Sequence, residues 1–212
     1  MISSQRYSGV NINSNLDWKQ HIQNITSSAR STLAILRRNI SSCPSDVKSR
    51  AYQALVRPKL EYSSAAWNPH QQDQVNRIEA IQRQAARFVS NNYERTASVT
   101  DMLTILEWES LATRRLLNQC SMFYKIHFSL VNIPFPSCVI PATRQGRANN
   151  ILSYNNIQSR VNTYKYSFFV RTIPIWNRLP TTVVQASSIK QFQTLALPVL
   201  REMQPTSTHQ KL

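Results

Sequence analysis

Apolar residues recur at helical spacing between Asn15 and Leu130, and the clearest run is the segment 74–89 (QVNRIEAIQRQAARFV). At roughly 100° per residue, its apolar positions fall on one arc and its arginines fall on the opposite side. The apolar positions are Val75, Ile78, Ile81, Ala85, Phe88 and Val89, and the arginines are Arg77, Arg83 and Arg87. This pattern predicts an amphipathic helix, whose cationic face is either a solvated outer surface or a binding surface.

The segment 17–40 predicts a second long helix. Asp17 and Gln20 have the spacing of a capping box at its start. Arg37 and Arg38 lie in its last turn, where the helix dipole favours cations. The predicted buried side is Trp18, Ile22, Ile25, Ala29, Thr32 or Leu33, Leu36 and Ile40.

A further helix is predicted to begin near Ser45. Its buried side is expected to consist of Val47, Ala51 and Leu55. Pro58 should kink or end this helix, because proline lacks the backbone N–H that the helical ladder needs.

Two more helices are predicted before residue 131, a short one beginning at Ser98 and a long one at 109–130. Arg114 and Arg115 are expected to face outward from the long helix. Its predicted buried side is Leu116, Leu117, Cys120, Phe123, Tyr124 and Phe128. The chain contains only two glycines, which disfavours an all-β fold with many tight turns. The fold class is therefore mainly α, with a multi-helix domain over residues 15–130.

The flanking segments lack this periodicity. Residues 6–12 predict a short strand within the segment 1–14, too small to be stable alone. Prolines interrupt the segment 131–163, which predicts a linker or loop region with a weak strand at 151–154. Residues 164–200 predict an aromatic and basic subdomain with a short helix at 188–197. The segment 201–212 is expected to be a frayed tail, so the C-terminal part is a less regular α+β piece.

The charge of the chain narrows the class of partner. Twenty-five lysines and arginines face ten carboxylates, a formal net charge of +15. Most of these cations are arginine, whose planar guanidinium suits phosphate. A balance this basic predicts a polyanionic partner, either nucleic acid or an acidic membrane surface.

Several classes of protein are disfavoured by what the sequence contains. Three widely spaced cysteines without a CxxC or CxxH pairing predict neither a zinc site nor a disulfide framework. The N-terminal residues lack the apolar core of a signal peptide, and no apolar run reaches membrane-spanning length. We therefore expect an intracellular protein with reduced thiols, no metal and no membrane partner.

The acidic residues are poorly placed for catalysis. Asp17, Asp46, Asp73 and Asp101 each lie near a predicted helix start, where capping explains them. No aspartate or glutamate occurs between Ser110 and Arg201. Nucleotidyl transfer with two metal ions needs clustered carboxylates, so this half of the chain is not expected to support it.

A cluster of aromatic and basic residues follows the proline-rich segment. Its members are Tyr164, Lys165, Tyr166, Phe168, Phe169, Arg171, Trp176 and Arg178. Such side chains can stack on bases while they pair with phosphates. The alternative is that Phe168, Phe169, Ile173 and Trp176 form a small core against the helices, and both can hold on opposite faces.

Four blocks of the chain occur in a recognisable order: YSGVNINSNLDWKQHI, LRRNISSCPSDVKSRAYQALVRPKLEYSSAAWNPH, IEAIQRQAARFV and YKYSFFVRTIPIWNRLP. Together they resemble the C-terminal part of the reverse transcriptase polyprotein of jockey-like non-LTR (LINE-type) retrotransposons. The reverse transcriptase of these transposable elements is an RNA-directed DNA polymerase. The resemblance covers roughly residues 6–197.

The resemblance implies a thumb-like helical bundle followed by a connector. Residues 7–10 match the strand that closes the polymerase palm, with Ser8 in place of a leucine. The paired aspartates of that family precede this strand, so the resemblance assigns no catalytic residue here. The zinc knuckle of some relatives is missing as well. We therefore expect no cofactor, and no primer extension by this chain alone with template, Mg²⁺ and nucleotides.

A thumb holds the phosphate backbone of a primer-template, RNA or DNA, which would explain the excess of cations. The candidate contacts are Arg37, Arg38, Lys48, Arg50, Arg77, Arg83, Arg87, Arg114, Arg115, Lys165, Arg171 and Arg178. Two alternatives stay open. The helices could instead dock on a separate reverse transcriptase palm or fingers domain, or the chain could be a transposon remnant without a selected function.

Overall fold

The computed structural model describes residues 4–14, 17–143 and 150–204. It is mostly helical, with a short two-stranded antiparallel sheet near the N-terminus, which confirms the predicted fold class. In chain order, its elements are β1 (Ser4–Tyr7), β2 (Val10–Asn13), α1 (Lys19–Asn39), α2 (Ser45–Ala51), a π-helical segment (Tyr52–Val56), α3 (Arg57–Glu61), α4 (Ser64–Trp67), α5 (Gln72–Val89), α6 (Val99–Ile105), α7 (Leu111–His127), α8 (Asn162–Lys165), α9 (Phe168–Asn177), α10 (Thr181–Val184) and α11 (Ile189–Met203).

The chain packs into two compact units, Met1–Arg114 and Arg115–Leu212. The division lies inside α7, whereas the sequence suggested a boundary near residue 131. The proline-rich segment belongs to the second unit, where Val139 and Tyr154 are part of the buried core. The proline-rich segment is therefore part of a folded unit and does not mark its boundary.

The N-terminal strand predicted at 6–12 is a hairpin of β1 and β2. Tyr7 pairs with Val10 across a two-residue turn, in which Ser8 and Gly9 have φ values of 44° and 83°. Two successive positive φ angles are typical of the turn type that matches the twist of a hairpin, and glycine adopts them without strain. A side chain at position 9 would also approach the Tyr62 ring, 3.3 Å away.

The first unit has its core between α1, α5 and the helical run 45–61. Most of the predicted apolar positions of α1 and α5 are buried, namely Ile22, Ala29, Leu33, Leu36, Ile78, Ile81, Ala85, Phe88 and Val89. The predicted positions Trp18, Ile25, Ile40 and Val75 are half-buried. The two helices run in the same direction, because Asp17 before α1 accepts a hydrogen bond from Gln74 near the start of α5. At the other end, Arg37 in the last turn of α1 lies over the ring of Tyr93, which follows α5.

The helical run 45–61 buries a different side from the one predicted. Val47 and Leu55 are exposed, and the buried residues are Lys48, Tyr52, Val56 and Leu60. The difference is present already in α2, where Lys48 is buried and Val47 is exposed. In the π-helical segment that follows, Arg57 donates its backbone N–H to the carbonyl of Tyr52, five residues earlier. This wide turn keeps Val56 and Leu60 on the same side as Lys48 and Tyr52. Pro58 falls in the first turn of α3, where its missing N–H costs little, and the run continues to Glu61.

The N-terminus of α7 is capped by a residue of α5. The carboxylate of Glu79 accepts the backbone N–H groups of Ala112, at 2.7 Å, and Leu111, at 3.4 Å. A carboxylate at this end of a helix also opposes the positive end of the dipole. Phe128, predicted to be buried by α7, follows the end of that helix and is 40% exposed.

The second unit is built around aromatic residues. Phe123 lies at its centre, with ring centroids at 4.9 Å from Trp176 and 5.5 Å from Tyr154. Asn177 holds the irregular segment in place by accepting from the Tyr154 N–H and donating to the Tyr154 carbonyl. The strand expected at 151–154 is reduced to one isolated bridge, between Pro141 and Tyr154.

The last helix is longer than predicted. α11 continues through Pro198 to Met203, because Leu200 beyond the proline is completely buried and holds the final turns against the core. Residues 201–203, expected to belong to a frayed tail, are therefore part of α11, and residues 205–212 lie outside the described part of the chain. Residues 144–149 of the predicted loop region 131–163 also lie outside it.

Candidate nucleic-acid interface

A polar groove of about 560 Å³ lies on the first unit, along the N-terminal half of α1 and beside α5. Its lining residues are Lys19, Gln23, Thr26, Ser27, Arg30 and Arg77. Three of the six are cations and none is acidic. The lining of the groove therefore combines positive charge with side chains that can donate or accept hydrogen bonds.

The α1 side of the groove follows from helical geometry. Lys19, Gln23 and Arg30 lie within about 40° of one another around the helix at 100° per residue. Ile22 and Leu33, on the buried side of α1, occupy the neighbouring arc of the helix. The polar stripe formed by Lys19, Gln23 and Arg30 therefore runs beside the core. Thr26 lies at the edge of the core and donates its hydroxyl to the carbonyl of Ile22, at 2.7 Å.

Arg37 extends this stripe to the end of α1. It has the same angular position as Lys19, because eighteen residues complete five turns. Its guanidinium carbon lies 5.4 Å from the centroid of the Tyr93 ring. Arg38 and Arg50 are also exposed, but they do not line the groove.

The three arginines of α5 differ in their exposure and contacts. Arg77 is exposed and joins the groove. Arg83 is exposed but lies about 120° around the helix from Arg77, and it donates to the carbonyl of Asn76 in its own helix, at 3.4 Å. The continuous cationic face expected on α5 is therefore divided.

Arg87 is half-buried rather than exposed. It donates to the carbonyl oxygens of Glu94, at 2.7 Å, and Ala97, at 3.4 Å. These bonds fasten the segment after α5 to the helix. The expectation that Arg87 is a free surface cation is wrong, because its guanidinium supplies the donors that this segment needs.

Three other candidates are engaged within the protein. Lys48 is 5% exposed, and its ammonium lies 5.2 Å from the Phe88 ring centroid. Arg114 forms a two-point ion pair with Glu61, which raises the pKa of the guanidinium. Arg115 is completely buried. The expectation that Arg114 and Arg115 face outward is wrong for Arg115, which is buried, and only partly right for Arg114, because its half-buried guanidinium is paired with Glu61.

In the second unit, the aromatic and basic cluster divides between core and surface. Ile173 and Trp176 are completely buried, and Phe168 and Phe169 pack against the same core, which confirms the core interpretation for these four. Lys165 and Arg178 are exposed, and the Lys165 ammonium lies 5.6 Å from the ring of Tyr166.

Arg171, in α9 of the second unit, is half-buried. Burial is the main cause that lowers the pKa of its guanidinium to about 10, and the nearby charge of Arg115 lowers it further. Arg171 is therefore less available to a phosphate than the exposed Lys165 and Arg178.

Sequence reasoning missed Lys19, Arg30 and Tyr93. Lys19 and Arg30 could have been recognised from the sequence, because residues eleven positions apart lie on nearly the same side of a helix. Tyr93 could not have been selected, since its relation to Arg37 depends on how the segment after α5 folds back.

Three carboxylates of the first unit have structural roles. Glu79 caps α7, Glu61 pairs with Arg114, and Asp17 accepts the backbone N–H of Lys19 at 2.9 Å. Across residues 4–14, 17–143 and 150–204, no three His, Cys, Asp or Glu side chains are grouped so that they could hold a metal ion. In the same residues, no helix has the length and apolar character that a membrane span requires.

Comparisons of the chain with protein-family models, with curated proteins and with solved structures find no match.

Proposed function

We propose that this chain is a non-catalytic C-terminal part of a non-LTR retrotransposon reverse transcriptase, whose α1–α5 groove grips the phosphate backbone of a primer-template. The single observation that carries the proposal is the groove itself. Lys19, Arg30 and Arg77 converge there without an acidic neighbour among the lining residues.

The chemistry of the groove favours phosphate over bases. Ammonium and guanidinium groups donate hydrogen bonds and carry charge, and both suit phosphate oxygens. Contacts of this kind fix the position of a duplex but do not distinguish its sequence. The polar side chains between the cations, Gln23 and Ser27, can bond to sugar or phosphate oxygens.

The order of the four sequence blocks supports the assignment to a reverse transcriptase, as does the helical bundle that follows the N-terminal hairpin. The non-catalytic role is supported by the use of Glu61 and Glu79 in an ion pair and a helix cap. A carboxylate occupied in this way is not available to bind Mg²⁺ without breaking the contact it makes.

The hairpin favours a second candidate function, docking to a separate polymerase sheet. Arg6 lies opposite Asn11 in a non-hydrogen-bonded pair of the hairpin. In such a pair, the backbone N–H and C=O groups of both residues point away from the partner strand. On the β2 side, the Asn11 N–H is bonded to His21. On the β1 side, residues 5–7 are exposed, so an added strand can pair along this edge.

The groove is tested by changing Arg30 and Arg77 together to alanine. Both residues are exposed and helical, and alanine is a good helix former, so the fold should persist, as circular dichroism can verify. We expect affinity for an RNA–DNA duplex to fall by about ten- to thirtyfold at low salt, whatever its sequence.

Arg83→Ala is the matched control, because it removes the same charge from an exposed helical site outside the groove. It should bind within about twofold of the unmutated chain. Equal losses from Arg83→Ala and from either groove arginine alone would contradict the groove and indicate attraction by net charge alone. Unchanged binding by the double variant would favour the docking candidate instead.

A further inference from the structure

Tyr93 is an exposed aromatic residue at the end of the cationic stripe. It lies in the segment between α5 and α6, and 51% of its surface is accessible. One face of the ring is near the guanidinium of Arg37, at 5.4 Å from the centroid. A buried tyrosine of the same unit, Tyr52, instead stacks on Trp108 with ring centroids 4.4 Å apart. Tyr93 therefore adds little to the core and presents its ring to solvent.

The segment that carries Tyr93 is held in place by hydrogen bonds. Arg87 donates to the carbonyls of Glu94 and Ala97, beyond the ring. Before the ring, the Asn92 N–H donates to the carbonyl of Arg87 at 3.1 Å, and the Asn92 side chain accepts the N–H of Glu94. The backbone is thus held on both sides of Tyr93, which reduces the entropy that binding would cost.

The stripe and the ring form one path along α1. Lys19, Arg30 and Arg37 lie on the same side of the helix and span about 27 Å at 1.5 Å per residue. Cations along the path suit the phosphates of a strand. An aromatic ring at its end suits a base, because every base has a π face on which a ring can stack.

We propose that Tyr93 is a stacking platform for an unpaired base next to the duplex held in the α1–α5 groove. The proposal rests on the proposed function and adds the class of ligand: a duplex with a single-stranded extension. Arg37 completes the platform, since its guanidinium lies on the ring and can pair with the phosphate of the stacked nucleotide. Stacking of this kind does not select one base over another.

The test compares a blunt RNA–DNA duplex with the same duplex carrying a short single-stranded extension, at equal salt. For the extended duplex, Tyr93→Ala should lower affinity by about five- to a hundredfold. For the blunt duplex, it should leave affinity unchanged within about twofold. Tyr93→Trp should restore binding, because an indole also stacks.

The matched control is Tyr7→Ala, which removes another exposed tyrosine of the first unit, at the hairpin. It should affect neither duplex. A fluorescent adenine analogue in the extension gives a second readout, since its emission should be quenched on binding by the unmutated chain and not by Tyr93→Ala.

The platform is overturned if Tyr93→Ala binds the extended duplex as well as the unmutated chain does. It is also overturned if the variant loses affinity for both duplexes equally, because the ring would then only support Arg37. These results leave the groove intact. If the double variant with Arg30→Ala and Arg77→Ala loses no affinity for the blunt duplex, the assignment of the groove as a phosphate-binding site is contradicted. The stacking role of Tyr93, which rests on that assignment, is then contradicted as well.

Discussion

His21 joins the N-terminal hairpin to α1. Its Nδ1 accepts the backbone N–H of Asn11 at 3.3 Å, and its ring lies 4.9 Å from the ring of Trp67. The side chain is 2% exposed, and burial lowers the pKa of the imidazole below its ordinary value of 6.5. Because Nδ1 is the acceptor, the neutral ring carries its proton on Nε2, and protonation of Nδ1 removes the bond to the hairpin.

The first prediction is that acid releases the hairpin. A histidine whose pKa is lowered by folding contributes stability above pH 6.5 that is lost as the pH falls, since the unfolded state binds the proton first. Between about pH 7.5 and about pH 5, amide NMR signals of residues 5–13 should move toward unfolded positions. His21→Asn keeps an acceptor for the Asn11 N–H without a titrating group, so its hairpin signals should stay in place.

His127 provides the control for this titration. Its pKa is also lowered by burial, and it is bonded to the Tyr154 hydroxyl in the second unit. His127→Asn should therefore leave the acid response of the hairpin unchanged. A hairpin that opens equally in His21→Asn would show that another group controls it.

The helical run 45–61 shows how one local departure from α-helical geometry changes which residues are buried. Lys48, Tyr52, Val56 and Leu60 follow one another at intervals of four, a spacing that rotates a stripe by about 120° over three steps in an ideal helix. The π-helical segment, whose turn contains more residues, reduces this rotation and keeps the four residues on the core side.

The second prediction concerns the register of this run. Val56 is completely buried and Leu55 is 52% exposed. Val56→Ala should lower the free energy of unfolding by about 2 kcal/mol, because it removes buried methyl groups and leaves a cavity. Leu55→Ala, although it removes more atoms, should cost less than about 0.5 kcal/mol. Urea denaturation followed by fluorescence measures both, and the opposite order would contradict the π-helical register.

At the scale of elements, the sequence predicted the helices that have an uninterrupted amphipathic period. α1 and α5 bury most of the expected positions, and α6 is capped by Ser98, whose hydroxyl accepts the Asp101 N–H. The misjudged elements depend on tertiary contacts that have no periodic signature. One is the continuation of α11 past Pro198, which depends on the burial of Leu200. The hairpin turn was missed for a different reason, since Ser8 and Gly9 are a local signal for a two-residue turn.

The candidate site was harder to predict than the fold. The sequence does not distinguish an exposed lysine or arginine from a buried one. Lys48 and Arg115 are buried because neighbouring elements cover them. Arg30 was overlooked because it lies on α1, away from the arginine-rich α5. Only the packing of the two helices brings Arg30 and Arg77 to one groove.

For the whole molecule, the positive charge is unevenly distributed along the sequence. The second unit, residues 115–212, has eleven lysines and arginines and a single carboxylate, Glu202. The first unit has nine carboxylates, so its groove is a local concentration of positive charge in a mixed surface. Binding should therefore combine a general attraction by the chain with a specific contribution from the groove.

The salt dependence of binding separates these two contributions. Each cation paired with a phosphate on a duplex adds about 0.9 to the slope of log affinity against log salt. The measurement is that slope for the unmutated chain, for Arg30→Ala with Arg77→Ala, and for Arg83→Ala, on one blunt duplex. We predict that the double variant flattens the slope by about 1.8, whereas Arg83→Ala leaves it unchanged. A double variant with the slope of the unmutated chain would contradict the assignment of the α1–α5 groove as the phosphate-binding site.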